Sequence, residues 1–339
     1  AAAVAAVPVA IGIIESGGGG QPPTAFASAP SGDYAVVAAS SDTVDVIRVV
    51  RAGGSPGGDE VARVDHLPGF YSTGSVSPNG RLLALAADDA GTPTRPGASL
   101  LLVDLESGSV TRLAVAVMGG QKPVWAADSR SVVVTCAVAG SSQSLEVSRF
   151  PVDLSPATTV DHAEAGMGLY PLGFDTQGRL ISILIEDRGS SLRRAGEEIG
   201  PISGFITRDW QLSPDATQLA FIEVDTSQGL QYKARVVSVE PASGGAGVTA
   251  QGLSRDGQQL GAAWRTGDPT PAFGQDPGSG AVRAAGAQPG GFDIPLAYAS
   301  SGAALAVQHW SGESFTAPGQ MTFTLVDGDT RTPLPDATA

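Results

Sequence analysis

The sequence predicts an all-β protein made of repeated short-stranded units, and three observations support this class. A tight turn followed by a strongly apolar strand recurs seven times, at intervals of about 45 residues. Glycine and proline contribute 45 and 24 of the 339 residues, a density that disfavours long helices. Charged residues make up only 16% of the chain and hydrophobic residues 42%, so it can bury a sizeable core.

Each repeat is marked by a turn of Ser, Pro, Asp, Asn or Gly residues. The central turn residues are Gly32, Gly80, Ser129, Gly178, Ala216, Gly257 and Gly302. Asn-Gly and Asp-Gly turns suit a two-residue hairpin, because both central positions adopt positive φ at low cost. The strand after each turn is almost continuously apolar, as in LLALAA from Leu82, which is typical of a strand covered on both faces.

Further strands complete the unit. First strands end near Phe26, Val76, Trp125, Phe174, Trp210 and Leu296, and third strands begin at Val44, Leu100, Leu145, Ala234 and Phe323. Fourth strands begin at Val110 and Thr330. The fourth unit shows no third strand before Ile202, and QLGAAW (259–264) is assigned as the second strand of the sixth unit.

Four short strands in about 45 residues is the period of a β-propeller blade. The sequence therefore predicts a β-propeller over residues 24–336, with seven blades by turn counting and six or eight as alternatives. Large side chains of the first and second strands are expected between blades. This predicted core is Leu83, Leu85, Trp125, Val133, Phe174, Ile183, Trp210, Phe221 and Leu305.

Two stretches carry a family resemblance. Residues 75–85 (SVSPNGRLLAL) and residues 210–221 (WQLSPDATQLAF) resemble the TolB-like, Trp-Asp-repeat-like propeller motif W-S-P-D-G-x-x-[LI]-A-F. Weaker copies at Trp125, Phe174, Leu253 and Tyr298 extend the resemblance over nearly all of residues 24–336. The resemblance implies the fold and leaves the function open, because the motif residues build hairpins and inter-blade packing.

The N-terminal segment precedes the repeats. Residues 1–15 are interpreted as the end of a membrane anchor or signal segment, and residues 16–23 as a Gly/Pro linker. The alternative is that Val7 to Ile14 form a strand that closes the domain against its C-terminus. An apolar segment and linker before such a propeller is similar to the extracytoplasmic part of bacterial single-pass membrane proteins. We therefore expect an extracytoplasmic location, either anchored to the cytoplasmic membrane or secreted.

Composition excludes several classes of chemistry. A net charge of −14 disfavours nucleic-acid binding, which needs clustered Lys and Arg. The single cysteine, Cys136, excludes a disulfide framework and a cysteine-based metal site. The three histidines are His66, His162 and His309. Residues Gly53–Gly57 match the G-x-S-x-G motif of a nucleophile elbow, but no helix follows them in the sequence. No catalytic constellation, metal site or cofactor is predicted.

Acidic residues cluster after the second strands. In a propeller, the loops after second strands share one face with the blade-to-blade loops, so these acids should surround one mouth of the channel. The predicted ligand-binding residues are Asp88, Asp89, Asp187, Asp225, Asp268 and Glu313, with Trp310 and Phe315 supplying apolar contacts. Such a mouth suits a cation, a basic peptide or a glycan. The alternative is that the acids serve only solubility and protect strand edges.

These observations predict a non-enzymatic binding or protein-interaction propeller of the bacterial cell envelope, whose partner is an envelope protein or glycan. Two alternatives stay open. One is a hydrolase or lyase that acts on polysaccharide or peptide in the channel, where two distant carboxylates could meet. The other is the sensor domain of a membrane regulatory protein.

Overall fold

The computed structural model describes residues 12–14, 33–40, 43–55, 57–67, 72–88, 98–118, 121–137, 144–187, 189–227, 231–239, 262–274, 292–299, 301–312 and 318–335. Every regular element in these ranges is a β-strand, and all strand pairs are antiparallel. The all-β prediction is confirmed.

The strands form units that follow the chain. The first unit contains β1 (Gly12–Ile14), β2 (Tyr34–Ser40), β3 (Val44–Arg51) and β4 (Asp59–Asp65). The second contains β5 (Thr73–Val76), β6 (Leu82–Asp88), β7 (Ala98–Asp104) and β8 (Val110–Val117). The third contains β9 (Val124–Trp125), β10 (Ser131–Ala137), β11 (Leu145–Pro151) and β12 (Thr158–Ala163). The fourth contains β13 (Gly168–Phe174), β14 (Leu180–Glu186), β15 (Gly189–Arg194) and β16 (Glu197–Ser203).

The remaining strands lie toward the C-terminus. The fifth unit contains β17 (Ile206–Leu212), β18 (Gln218–Asp225) and β19 (Gln231–Ser238), and the sixth is described at β20 (Ala262–Ala263) and β21 (Ala272–Phe273). The last contains β22 (Phe292–Tyr298), β23 (Ala304–Trp310), β24 (Met321–Asp327) and β25 (Thr330–Pro333). Within each unit the hydrogen-bonded order follows the chain order, and one residue pair, Cys136 with Val117, joins the second and third units.

The first strands of the units form a closed ring. In the series β1, β5, β9, β13, β17, β20 and β22, each strand contacts the next one, and β22 contacts β1. This is the arrangement of blades around a central channel. The count of seven blades stays a prediction, because residues 240–261 and 275–291 lie outside the described ranges.

The fourth unit is complete, so the predicted gap before Ile202 is wrong. Strand β15 pairs with both β14 and β16. Its sequence, GSSLRR, is polar, and its polar side chains bind neighbouring strands. Ser190 Oγ accepts a hydrogen bond from Thr207 Oγ1 at 2.9 Å, and Arg193 forms an ion pair with Asp161. The apolar pattern did not predict this strand, because its buried residues are polar and are satisfied by hydrogen bonds.

The sixth unit is shifted by one strand from its predicted phase. Strand β20, which falls in the segment predicted as a second strand, contacts the first strands β17 and β22. Trp264 Nε1 donates to the backbone oxygen of Gln211 at 2.9 Å, just as Trp125 Nε1 donates to that of Ser75 at 2.9 Å. Strand β20 is therefore a first strand. Its short run of alanines has the composition of a second strand, which explains the error.

The predicted core is largely buried between the units. Buried members are Leu83, Leu85, Trp125, Val133, Ile183, Phe221 and Leu305. Phe174 and Trp210 are half-buried and pack against core clusters. Their strand neighbours Ala84, Val132 and Ser182 are buried as well, so the second strands are covered on both faces, as predicted.

The turns differ in type from the predicted two-residue hairpin. Gly80 N–H donates to Ser77 O at 2.8 Å, and Gly80 has φ +74° whereas Asn79 does not have positive φ. Only the last turn residue is therefore left-handed, as in a type I turn closed by a bulge. Ser129 and Ala216 occupy the same position with φ +59° and +54°.

Part of the N-terminal segment enters the ring. Residues Gly12–Ile14 form β1 and pair with β2, so three residues of the segment interpreted as an anchor lie in a strand. The other residues up to 32, including the linker, Phe26 and Gly32, fall outside the described ranges. Among the described residues, no helix has the length and apolar character needed to cross a membrane. The anchor stays a prediction.

Candidate binding site in the central channel

A cavity of about 480 Å³ lies among the first strands of four successive units, β5, β9, β13 and β17. Its aromatic lining comes from Trp125, Tyr170 and Trp210, and its charged lining from Lys122 and Asp209. Side-chain amides of Gln121 and Gln211 also line it. The volume falls within the range of small-ligand pockets, and the mixture of aromatic walls with a few polar groups is typical of such sites.

The segment before β9 is fixed to the neighbouring unit by three hydrogen bonds. Thr73 Oγ1 donates to Gln121 O at 2.8 Å, and Ser75 Oγ donates to Pro123 O at 2.6 Å. Trp125 Nε1 completes the set through its bond to Ser75 O. These bonds hold Gln121 and Lys122 rigidly at the wall of the cavity.

Lys122 is one of two lysines in the chain. Its side chain is exposed and lines the cavity, and desolvation by the neighbouring protein lowers the pKa of its amine. Lys122 makes no ion pair with any residue that the structure describes. Lys233, by contrast, places its Nζ 2.5 Å from Asp225 Oδ2.

Asp209 lies at a β-bulge. The register between β17 and β18 shifts between Arg208 and Gln211, and Asp209 has φ +54°, a left-handed conformation that Asp tolerates better than most residues. The bulge redirects this side chain so that it lines the cavity. Burial raises the pKa of the Asp209 carboxyl, and the ion pair with Arg208 opposes that shift.

The aromatic wall is held in place by packing. The Tyr170 and Trp210 rings lie 4.8 Å apart between centroids, tilted by 40°. Trp210 Nε1 donates to Thr207 Oγ1 at 2.9 Å. A Cβ at Gly168 would lie 2.3 Å from the Tyr170 ring, so this position requires glycine. Burial also raises the pKa of the Tyr170 hydroxyl.

One buried polar atom on a residue of the cavity lining has no hydrogen-bond partner in the described part of the chain, namely Gln121 Oε1. Gln121 lines the cavity. A buried polar atom left without a partner costs about 1–3 kcal/mol. Oε1 is covered by protein in this structure, so a ligand in the cavity can satisfy it only if the Gln121 side chain turns toward the cavity.

Four of the eight residues predicted for the acidic mouth have no described side chain. Asp88 ends strand β6, as predicted, but nothing is described of its side chain. Asp89, Glu313 and Phe315 lie outside the described ranges. Asp187 follows β14 and is exposed, which is the placement that the prediction requires.

The other three lie in settings that the prediction did not anticipate. Asp225 is buried and paired with Lys233, so its charge is compensated. Trp310 is buried, and the backbone at Gly319 packs so closely on its ring that a Cβ there would lie 2.7 Å from Trp310 Cε2.

Asp268 lies on the other face of the ring. It belongs to the turn after β20, where its N–H donates to Arg265 O at 3.1 Å. Arg265 Nε in turn donates to Gly302 O at 2.7 Å, in the turn between the first and second strands of the last unit. Asp268 therefore lies apart from Asp187, because β20 is a first strand. The ligand-binding role of the mouth stays a prediction.

Lys122 and Asp209 are not among the residues predicted from the sequence. Lys122 is the one charged residue in QKPVW, whereas Asp209 lies beside Arg208 in TRDWQ. A charge on the innermost strand of a propeller faces the channel or the neighbouring blade, so charges on these strands were the available signal. The scarcity of lysine made Lys122 conspicuous.

Two of the three histidines lie beside buried carboxylates. His66 lies 3.5 Å from Asp45 Oδ1, and His309 Nδ1 lies 2.8 Å from Asp293 Oδ1. Burial raises the pKa of the Cys136 thiol to about 12, so it is not a nucleophile. Among the described residues, no group of His, Cys, Asp and Glu side chains is arranged to hold a metal ion.

Comparisons with known proteins place the fold. No protein-family model matches the sequence, and no curated protein matches it significantly. The ring of sheets defines the chain as a β-propeller. It is similar to prolyl oligopeptidase B from Galerina marginata, apo form, with 10% identity and a TM-score of 0.54 over 87% of this chain and 47% of that chain.

Two further solved structures are similar. TolB from Acinetobacter baumannii has 11% identity and a TM-score of 0.44, over 96% of this chain and 65% of that chain. The β-propeller domain of the Trilobed protease from Pyrococcus furiosus has 9% identity and a TM-score of 0.49, over 75% of this chain and 80% of that one. The chain thus spans about half of the peptidase and two thirds of TolB. The predicted β-propeller fold is confirmed, and identities this low show the fold alone.

Proposed function

We propose that this chain is a non-enzymatic binding propeller of the bacterial cell envelope, and that its ligand enters the central cavity beside Lys122 and Asp209. The ligand is a segment of an envelope protein or glycan. The envelope location rests on the apolar residues 1–11, which come before strand β1 in the sequence. The rigid ring supports a binding role, because its inner strands hold side chains in fixed positions.

The observation that carries the proposal is the half-open cavity whose lining combines aromatic rings with polar side chains that lack protein partners. Gln121 Oε1 has no hydrogen-bond partner and Lys122 no counter-charge in the described part of the chain. Tyr170 and Trp210 provide an apolar wall beside them. Groups of this kind gain stabilisation from a ligand that carries both hydrogen-bond donors and an apolar face.

A hydrolase or lyase in the channel has less support. Asp209 is the one carboxylate among the described residues that line the cavity, whereas glycoside hydrolysis by acids uses two. The peptidase similarity extends to the fold only, and no observation favours a sensor role over simple binding. Binding therefore explains the site without a second carboxylate or any other catalytic group.

The test is capture of envelope components by matched variants. The wild-type chain is immobilised and exposed to separate protein and glycan fractions of the cell envelope. A channel variant, K122M/D209N, is compared with a surface variant, D187N. Asn is chosen at 209 because it tolerates positive φ. We expect the channel variant to lose the bound component and D187N to retain it; retention by both would refute the proposed site.

A further inference from the structure

Three polar side chains of the cavity lining have hydrogen-bonding capacity that the protein does not use. The side chains of Tyr170 and Gln211 make no hydrogen bond within the part of the chain that the structure describes. The Asp209 side chain is 43% exposed and pairs with Arg208 through Oδ2, which leaves Oδ1 without a described partner. A carboxylate accepts hydrogen bonds, whereas a phenol and a primary amide both donate and accept them. The cavity therefore offers donors and acceptors side by side.

A β-bulge places two of these groups on one short segment. Residues 209–212 all line the cavity, although successive side chains of a regular strand point to opposite faces. The register shift between Arg208 and Gln211 and the left-handed backbone of Asp209 account for this irregularity. Asp209 and Gln211 therefore flank Trp210 on the same wall of the cavity.

The aromatic side chains beside them offer apolar surface rather than hydrogen-bond donors. Trp210 Nε1 already donates to Thr207 Oγ1 at 2.9 Å. Trp210 and Tyr170 are only half-buried, so part of each ring is open to the cavity. A pyranose ring has a face of C–H groups that packs against an aromatic ring, and its edge carries hydroxyl groups that donate and accept. The lining matches both parts of such a ring.

The backbone around the cavity is poorly suited to an extended peptide. Such a peptide binds an open strand edge through the N–H and C=O groups of that edge. Three lining residues are prolines and have no N–H, namely Pro78, Pro123 and Pro171. Four lining residues have carbonyl oxygens that already accept hydrogen bonds from neighbouring units, namely Ser75, Gln121, Pro123 and Gln211. Recognition therefore depends on the side chains.

We propose that the ligand of this cavity is a neutral oligosaccharide with vicinal hydroxyl groups. Its ring face packs on Tyr170 and Trp210, and its hydroxyl groups bond to the side chains of the 209–212 segment. The inference rests on the proposed function, because the glycan must enter the same cavity, and it selects one of the two ligand classes named there. The described lining contains one lysine, Lys122, and one carboxylate, Asp209, so neither sign of charge predominates and a charged polymer is not favoured.

The probes are three neutral trisaccharides, cellotriose, maltotriose and mannotriose, each offered to the whole chain. Calorimetry gives the affinity, and saturation-transfer NMR identifies the sugar protons that contact the protein. We expect at least one trisaccharide to bind, with the strongest transfer to ring C–H protons on one face. Q211M, which removes the amide but keeps an unbranched side chain, should weaken that binding about fivefold, and Y170F should weaken it by a similar factor.

The matched control is Q177M, which makes the same change at an exposed turn outside the cavity lining and should bind the trisaccharide normally. Thermal unfolding checks that the three variants fold like the wild type. The inference is overturned if no trisaccharide binds, or if the wild type and both cavity variants bind equally well.

The captured envelope component separates this inference from the proposed function. Periodate cleaves vicinal diols, so treatment of the component with periodate should abolish its capture, whereas treatment with proteinase K should not. Capture that is lost after proteinase K and kept after periodate would make the ligand a peptide, which overturns the glycan and leaves the channel site standing. If the wild-type chain captures no component at all, the proposed function fails and this inference fails with it.

Discussion

Trp125 and Ser75 join two neighbouring blades through one hydrogen bond, from the indole Nε1 to the backbone oxygen at 2.9 Å. Trp264 and Gln211 repeat the bond at 2.9 Å further along the ring. In both cases a first-strand tryptophan reaches the first strand of the preceding unit. We therefore regard this bond as a repeated device that fixes inner strands, and through them the cavity wall.

W125F and W264F test that device. Each substitution keeps an aromatic ring but removes the donor, so each should lower the free energy of unfolding by at least about 1 kcal/mol. Denaturant titration of both variants gives the measurement. A clear loss in W125F with none in W264F would mean that β20 is not a first strand.

A216G and G178A test the left-handed turn position. Ala216 has φ +54°, where a Cβ is strained, so A216G should stabilise the chain by about 0.5–1 kcal/mol. Gly178 has φ +74° and open space around its Cβ direction, so G178A should destabilise by about 1–2 kcal/mol through backbone strain alone. Thermal unfolding of the two variants should shift in opposite directions; shifts of the same sign would refute the turn assignment.

Asp161 tests the polar contact between the third and fourth units. Its buried carboxylate accepts from Arg193 Nη2 at 2.9 Å and from Ser182 Oγ. D161A leaves the Arg193 guanidinium without its counter-charge and should cost about 3–5 kcal/mol. The double variant D161A/R193M should be less destabilised than D161A, as measured in chemical denaturation. If the double variant were worse by the full cost of R193M alone, the two residues would not be coupled.

The lowered pKa of Asp225 predicts that the free energy of unfolding falls in acid. Its hydrogen bond from Lys233, followed by those from Ser227, lowers the pKa of the carboxyl in the folded state. A lowered folded-state pKa stabilises the fold above the unfolded-state pKa of about 3.9, and the contribution is lost as pH falls below that value. D225N should therefore be less stable than the wild type at pH 7, with the difference shrinking below about pH 4. A difference independent of pH would contradict this assignment.

Periodicity predicted the fold well because it reports burial. The second strands are apolar on both faces, so their spacing gave the unit length and most of the buried side chains. It failed where burial is polar, as at Ser190 in β15, and where a strand is short, as at Ala262. Phe174 and Trp210 were predicted as buried between blades, and both are half-buried, with Trp210 lining the cavity.

The site was less predictable for a geometric reason. Lys122 and Asp209 lie 87 residues apart in sequence, in the third and fifth units, and the packing of successive units brings both to one cavity. The acids after the second strands could be recognised in the sequence, but the sequence does not show which of them form ion pairs. Lys233, which compensates Asp225, lies on the next strand of the same sheet.

The binding affinity of the captured envelope component for the K122M/D209N variant, measured by calorimetry beside the D187N variant, tests the central claim most directly. Both variants are compared at one ionic strength, because exposed charges are screened by salt. A ligand held in the channel should bind K122M/D209N at least about tenfold more weakly, equivalent to about 1.4 kcal/mol, and D187N with nearly unchanged affinity. Weakened binding in D187N with normal binding in K122M/D209N would place the ligand at the acidic mouth and contradict the channel site.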